Sequence, residues 1–246
     1  MSLYLYALTR ATEVPELRGL DKAPVRLISN GSIAALASRF ERSKVRPRRR
    51  HLLAHDQTIR SLMASQGILP MSFGTLAASR EDVLSLLDEH ADSVSADLDR
   101  LQGRVEMVAR TRIAADNLFE RCVTTYPELR RARDQMLADG AGQDRDRMLE
   151  VGKLFETLRE REREQVREQF LAGLGTTFDE VEVNDPKADE QIFDLAFLIH
   201  RDGVTAWERA VEQVAVELAD DLVIDLAGPL PPYSFTTLRL SAPGAG

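Results

Sequence analysis

Three prolines in four positions near the C-terminal end of the sequence constrain the backbone of this chain more than any other feature. Proline fixes φ and removes a backbone hydrogen-bond donor. We therefore predict that the segment leaves the preceding sheet and continues as extended chain lying on a protein surface. Its two aromatic residues alternate with a serine, so both rings are expected to face that surface. The segment reads Gly228, Pro229, Leu230, Pro231, Pro232, Tyr233, Ser234 and Phe235.

A second segment of similar character lies in the first half of the chain, where Pro70, Phe73 and Gly74 occur close together. Glycine permits a bend or a close approach of backbone, and aromatic residues beside proline and glycine usually complete a core. We therefore interpret both segments as structural, sealing a sheet edge or a domain junction. The alternative is that the same residues form a groove that receives a partner.

The composition is that of a globular protein. The chain has 246 residues, 43% hydrophobic and 29% charged, which suits one large domain or two ordinary ones. Its net charge of −8 disfavours nonspecific attraction to nucleic acid or anionic lipid. No apolar run approaches the roughly 20 residues of a membrane-spanning helix, so no membrane span is expected. The single cysteine excludes an internal disulfide, and the N-terminus lacks a secretory pattern, so we expect a cytoplasmic protein.

The first half of the sequence predicts a β-rich start followed by a helix, a strand and a helix. The strongly apolar run 3–8 predicts a first strand that is central in its sheet. Asn30-Gly31, between two apolar segments, predicts a β-hairpin with a type I′ turn. Apolar spacing predicts a helix over 49–66, a short strand over 69–75, and a second helix beginning at Glu81.

The second half predicts the element order βαββαβ of a ferredoxin-like domain. A strand at 104–109 leads into a helical hairpin whose reversal is expected near Gly140. Two strands, a helix and a last strand ending at Leu226 follow. The predicted fold class is therefore α+β with two domains. Residues 1–101 form an N-terminal α+β domain, and residues 102–246 form a ferredoxin-like domain with an enlarged helical hairpin insertion and a docked tail.

The stretch 159–164 alternates arginine and glutamate. Glu160 with Arg163, and Glu164 with Arg167, stand three positions apart, where helical side chains meet and each pair contributes a few tenths of a kcal/mol. We interpret the stretch as a solvated helix face held by such pairs. The alternative is a projecting helical arm that contacts a partner.

Residues with catalytic or metal-binding chemistry are few and poorly grouped. His51 and His55 share a helix face, but a metal site needs a third ligand, and the pair lacks the glutamate of H-E-x-x-H. We therefore expect no metal and no cofactor, and interpret His55 as supporting the packing beside Phe73. Cys122 lies in an apolar helical neighbourhood typical of a buried thiol. Because no nucleophile or phosphate-binding motif occurs, we expect that the protein is not an enzyme.

The densest positive charge lies at Arg46 and Arg48–Arg50. No aromatic residues interleave with these arginines, and Pro47 indicates a loop leading into a helix. A solvated loop or a contact with an acidic protein is therefore favoured, and nucleic acid is not expected as a partner.

Several short motifs, in order along nearly the whole chain, resemble the gas vesicle accessory family of F and L proteins. They are Leu-Ala-His ending at His55, L-P-x-x-F-G-T from Leu69, the segment around Glu106, the run Ala196 to Ile199, and G-P-x-P-P-Y-S-F from Gly228. The resemblance marks the following residues as structural or partner-binding candidates: His55, Pro70, Phe73, Gly74, Glu106, Gly228, Pro229, Pro231, Pro232, Tyr233 and Phe235.

This resemblance implies a non-enzymatic accessory or minor structural protein of gas vesicles, which are hollow, protein-walled buoyancy compartments. The implied partners are the very hydrophobic gas vesicle shell protein (GvpA type) and other gas vesicle accessory proteins, and the implied location is the cytoplasm and the gas vesicle. A free sheet edge or an apolar groove would suit such a client. The alternative from the predicted fold is a ferredoxin-like regulatory or small-ligand-binding protein.

Overall fold

The computed structural model describes residues 2–65, 67–138 and 144–238, which form a mixed α+β structure with two antiparallel sheets. Within these ranges the strands are β1 (Ser2–Thr9), β2 (Arg26–Ser29), β3 (Ala34–Phe40), β4 (Ile68–Pro70), β5 (Leu76–Ala77), β6 (Arg104–Ile113), β7 (Glu180–Asn184), β8 (Gln191–His200) and β9 (Leu222–Leu230). The α-helices are α1 (Arg49–Ser65), α2 (Arg80–Glu89), α3 (Ala91–Leu101), α4 (Leu118–Thr125), α5 (Pro127–Ala138), α6 (Arg145–Leu174) and α7 (Val204–Glu217).

The first sheet has the order β2-β3-β1-β4, and β5 also pairs with β1. The prediction that the first strand is central is confirmed, because β1 pairs with strands on both of its edges. Its residues are buried on both faces: Tyr4 and Tyr6 alternate with Leu5 and Ala7, and all four are at most 1% exposed. Ile59 and other apolar residues of α1 belong to the same core as the two tyrosines.

The hairpin predicted around Asn30-Gly31 is present between β2 and β3, but its turn is not type I′. Of the two residues, only Gly31 has a positive φ, of 105°, whereas a type I′ turn needs positive φ at both central positions. The Asn30 side chain instead accepts hydrogen bonds from the backbone amides of Ser32 and Ile33. This side-chain bonding stabilises a different, wider connection.

The helical elements of the first half follow the predicted order with two differences. The predicted helix over 49–66 is α1. The second predicted helix is two helices, because the chain leaves helical geometry at His90 between α2 and α3. Ser79 and Asp82 form a capping box that fixes the start of α2. The short strand predicted over 69–75 is replaced by β4 and β5, which flank a turn closed by a hydrogen bond from Thr75 to Ser72.

The second sheet has the order β7-β8-β6-β9, so β9 lies at an edge. The prediction that the proline-rich segment leaves the sheet is wrong for its first residues, because β9 continues to Leu230 and includes Gly228 and Pro229. An edge strand has one side without a partner strand, and proline is tolerated there. Beyond Pro232 the chain forms a 3-10 turn over Tyr233–Phe235, not an extended run.

In the described part of the segment between β6 and β7, the chain forms α4, α5 and α6. Helix α5 begins at Pro127 as expected, whereas the reversal predicted near Gly140 lies outside the described residues. The predicted pairs of Glu160 with Arg163 and of Glu164 with Arg167 are both present. The face is not wholly solvated, however. The helices pack around a core that holds Cys122, and two charged residues of α6, Arg159 and Glu162, are buried.

The chain divides into two compact units. The first unit comprises the described residues of Met1–Met107, Leu198–Arg201 and Gly228–Gly246, and the second comprises Val108–Phe197 and Asp202–Ala227. The docking of the tail therefore differs from the sequence prediction, which placed the tail on the C-terminal domain. The division after residue 101 stays a prediction. Over the described ranges, no helix has the length and apolar character needed to cross a membrane.

Candidate functional site

The tail and the turn after β4 meet at His55, in the first unit. His55 lies on α1 and is 4% exposed. Its Nδ1 is 2.8 Å from the hydroxyl oxygen of Tyr4, and its Nε2 is 3.3 Å from the hydroxyl oxygen of Tyr233. Tyr233 also packs against the apolar core of this unit. One histidine thus connects the first strand of the chain with the C-terminal segment.

The turn after β4 supplies two further predicted residues to this cluster. The ring of Phe73 meets the His55 ring edge-on, with 5.6 Å between centroids. The backbone amide of Gly74 donates a hydrogen bond of 3.2 Å to the Tyr4 hydroxyl. Gly74 has a φ of 94°, in the region that favours glycine, which allows the chain to turn its amide towards Tyr4. Because the Tyr4 oxygen accepts this bond, its own proton is directed to Nδ1 of His55.

Burial keeps the members of this cluster neutral. It lowers the pKa of His55 to about 4, and a hydrogen bond with the Met71 carbonyl opposes the shift only in part. Burial also raises the pKa of Tyr4 and of Tyr233 well above the ordinary tyrosine value. A neutral imidazole and two neutral phenols therefore form a chain of hydrogen bonds without a buried charge.

Two buried carboxylates hold the tail on the first unit. Glu106, on β6, accepts hydrogen bonds from the backbone amide of Ser234 at 2.8 Å and from its hydroxyl at 3.0 Å. Asp97, on α3, accepts the corresponding pair from Thr237 at 2.9 and 2.6 Å. The two acidic residues are 5% and 3% exposed. Since buried charges are costly unless they are hydrogen-bonded, each carboxylate depends on the tail for two donors.

The remaining candidates fix the path by which the tail reaches this position. Gly228 has a φ of 145°, and a Cβ built there would lie 2.3 Å from Sδ of Met107, so only glycine fits without a shift. The carbonyl of Pro229 accepts a 3.2 Å hydrogen bond from Arg60. The carbonyl of Phe235 accepts one from Arg100. Pro231, Pro232 and Phe235 are buried, and Pro70 is buried in β4.

The structure thus gathers all the predicted residues in the first unit, and adds partners that sequence reasoning missed. The most informative omission is Asp97, which shares the buried face of α3 with Val94, Leu98 and Leu101. A carboxylate among apolar residues at helical spacing was the available signal. Tyr4 gave no such signal, because a tyrosine in an apolar strand is common.

The two histidines considered for metal binding have separate partners. Nε2 of His51 lies 3.1 Å from a carboxylate oxygen of Asp21, whereas His55 bonds the two tyrosines. In the part of the chain that the structure describes, no three His, Cys, Asp or Glu residues are grouped so that they could hold a metal ion. In the second unit, burial raises the pKa of the Cys122 thiol.

Fold and site together define a two-sheet α+β protein whose first unit is completed by its own C-terminal segment. The family described as "Gas vesicle synthesis protein GvpL/GvpF" matches residues 2–237, and the chain therefore belongs to this family. The resemblance seen in the sequence motifs is thereby confirmed, and the family supports an accessory role in gas vesicles.

Relatives and solved structures agree over almost the full length of the chain. The gas vesicle protein F of a Streptomyces species is 27% identical, over 96% of this chain and 99% of the relative. That of Dolichospermum flosaquae is 28% identical, over 96% and 98%. Crystal structures of GvpF from Microcystis aeruginosa and from an Anabaena species superpose with TM-scores of 0.82 and 0.84 at 24% identity. They cover 96% and 97% of this chain, and 99% of each neighbour. At this identity the superpositions show a shared fold.

Proposed function

We propose that this chain is a non-enzymatic accessory protein that binds the gas vesicle shell protein and supports gas vesicle assembly in the cytoplasm. The observation that carries the proposal is the family match over residues 2–237, which includes both units and the docked tail. Other gas vesicle accessory proteins are proposed as additional partners. In this proposal the candidate residues around His55 and the tail are structural and complete the first unit.

We further propose that residues 102–246 form a ferredoxin-like domain with an enlarged helical hairpin insertion, and that the division after residue 101 is the domain boundary. The strand orders support this description. If the strands of each path are numbered one to four in chain order, their spatial order is two, three, one, four. This holds for β2-β3-β1-β4 in the first sheet and for β7-β8-β6-β9 in the second. This is the order that a βαββαβ unit adopts when its strands are antiparallel.

A free sheet edge is the proposed contact for the shell protein. Strand β7 is an edge of the second sheet and has only five residues. Val183 on this strand is 52% exposed. An edge strand presents unpaired backbone groups that can add a strand from a partner, and an exposed apolar side chain favours such an addition.

Co-purification of this chain with the shell protein, at low and high salt, tests the proposal. Apolar burial is not weakened by ionic screening, whereas exposed charges are screened within about 10 Å at about 0.1 M salt. We therefore expect the complex to persist at high salt. Substituting Val183→Lys should weaken it, since a lysine on an edge blocks strand addition.

A charge swap on α6 provides the matched control. Glu160 and Arg161 are exposed, so the double substitution E160R/R161E changes surface charge pattern without exposing buried groups. It should leave the complex intact. Normal vesicles in cells lacking this protein, together with no complex at either salt, would reject the proposed function.

A further inference from the structure

A groove of about 550 Å³ lies on the first sheet at the start of α2. The strand register explains its lining. Leu3 pairs with Arg39, and Arg26 pairs with Ala37. Because residues two apart on a strand share a face, these four side chains lie on one face of the sheet. Small Ala37 between longer side chains leaves the space, and Arg80, the first residue of α2, lines the groove beside them.

The three arginines of this groove are exposed, and among the described residues none of them has a carboxylate partner, although many other arginines do. Of the two acidic residues that follow Arg80 in the first turn of α2, Glu81 and Asp82, the second is engaged in the capping box. The surrounding sequence is strongly basic: positions 26–50 contain eight arginine or lysine residues and one acidic residue, in a chain with a net charge of −8. Unpaired positive charge is therefore concentrated in one concave place.

We propose that this groove binds an acidic segment of a partner protein that also carries apolar side chains. Carboxylates would pair with the guanidinium groups of Arg26, Arg39 and Arg80, which suit bidentate recognition of carboxylate. Apolar side chains would lie on the floor formed by Leu3 and Ala37. Charge complementarity favours an acidic occupant, because the groove is positively charged although the chain as a whole carries a net negative charge.

Nucleic acid and membrane fit the groove less well. Single-stranded nucleic acid would need aromatic residues for base stacking, and none lines this groove. An anionic membrane needs an extended basic surface, whereas these arginines line a concavity. The groove shares no residues with strand β7, the edge proposed for the shell protein. Binding at the groove should be lost at high salt, whereas the complex with the shell protein should persist.

The test is fluorescence anisotropy of a labelled peptide in which glutamate and leucine alternate, titrated with the whole protein. Binding should be strong at low salt and lost at high salt, because exposed ion pairs are screened. The variant R26Q/R39Q/R80Q should bind at least about tenfold more weakly, the equivalent of about 1.4 kcal/mol. A peptide with serine in place of leucine should bind more weakly to the wild type. Circular dichroism confirms that each variant is folded.

The matched control is R42Q/R48Q/R49Q, which removes the same charge from exposed arginines outside the groove. It should retain most of the affinity. Equal losses in the two triple variants would overturn the proposal by showing diffuse attraction to a basic surface. Absence of peptide binding, equal binding of the serine peptide, or tighter groove-dependent binding of DNA or anionic vesicles would also overturn it. None of these outcomes bears on the salt-resistant shell-protein complex, so the two proposals fail separately.

Discussion

Acidification is expected to destabilise the first unit through His55. Burial lowers the pKa of His55 from 6.5 to about 4. Because the folded-state pKa is lowered, the unfolded chain binds the proton more readily. Neutral, buried His55 therefore makes its full contribution to the free energy of unfolding above about pH 6.5. This contribution is lost as the pH falls towards about 4.

The size of the effect follows from the two pKa values. A difference between 6.5 and about 4 corresponds to about 3.4 kcal/mol when it is fully developed. At about pH 5 the unfolded chain is almost fully protonated at this position and the folded chain is not, so about 2 kcal/mol is already lost. This is a large fraction of the stability of an ordinary domain.

Urea unfolding of the wild type and of His55→Gln, between about pH 7.5 and pH 5, measures this contribution. His55→Gln is expected to be less stable than the wild type at neutral pH, because the hydrogen bonds of His55 are altered. The difference in free energy of unfolding between the two proteins should narrow by about 2 kcal/mol on acidification. Ile59→Val is the matched control, since it loosens the same helix without changing a titratable group. Near-UV circular dichroism of tyrosine reports mainly on the first unit, whereas Trp207 fluorescence reports on the second. The first-unit tyrosines are Tyr4, Tyr6 and Tyr233.

A gap between the wild type and His55→Gln that stays constant with pH would refute the reasoning. It would show that His55 is protonated in the folded protein without cost, and that the hydrogen-bonded cluster is open to water. A gap that narrows equally for Ile59→Val would assign the pH effect to other groups of the first unit.

Three further predictions concern the docked tail. Ser234→Ala should cost about 1–3 kcal/mol in urea unfolding, because buried Glu106 loses the hydrogen bond from the Ser234 hydroxyl; an unchanged midpoint would show that water replaces the hydroxyl. Gly228→Ala should destabilise by about 1–3 kcal/mol, and Met107→Ala should recover part of that loss in a double-mutant cycle. Deleting 231–246 should lower the melting temperature of the first unit and expose apolar surface to dye, while an unchanged melt would mean that the tail contributes nothing.

Local sequence patterns predicted the helices and strands well, but they predicted poorly how segments distant in sequence pack together. The central position of β1 and the extent of α1 follow from apolar spacing within a few residues. The continuation of β9 through Pro229 could not be predicted in the same way, because proline is accepted there only by virtue of the edge position of the strand. Edge position is a property of the whole sheet.

The candidate site shows the same limit. The motifs marked His55 and Tyr233, but the contact between them spans 178 positions of sequence. The partners of Ser234 and Thr237 lie 128 and 140 positions away. The position of Asp97 among apolar residues of α3 signals burial but does not identify its partner. Glu106 has no such signal, because a glutamate in a strand is usually solvent-exposed.

The return of the chain to its first unit has a consequence for synthesis on the ribosome. Domains generally fold as they emerge, the N-terminal one first. Here the hydroxyl and amide donors for Glu106 and Asp97 are translated only after every residue of the second unit has been made. Until translation reaches Thr237, the first unit therefore lacks the four hydrogen-bond donors that the tail supplies to its two buried carboxylates, and its final packing is completed only after the second unit has been synthesised.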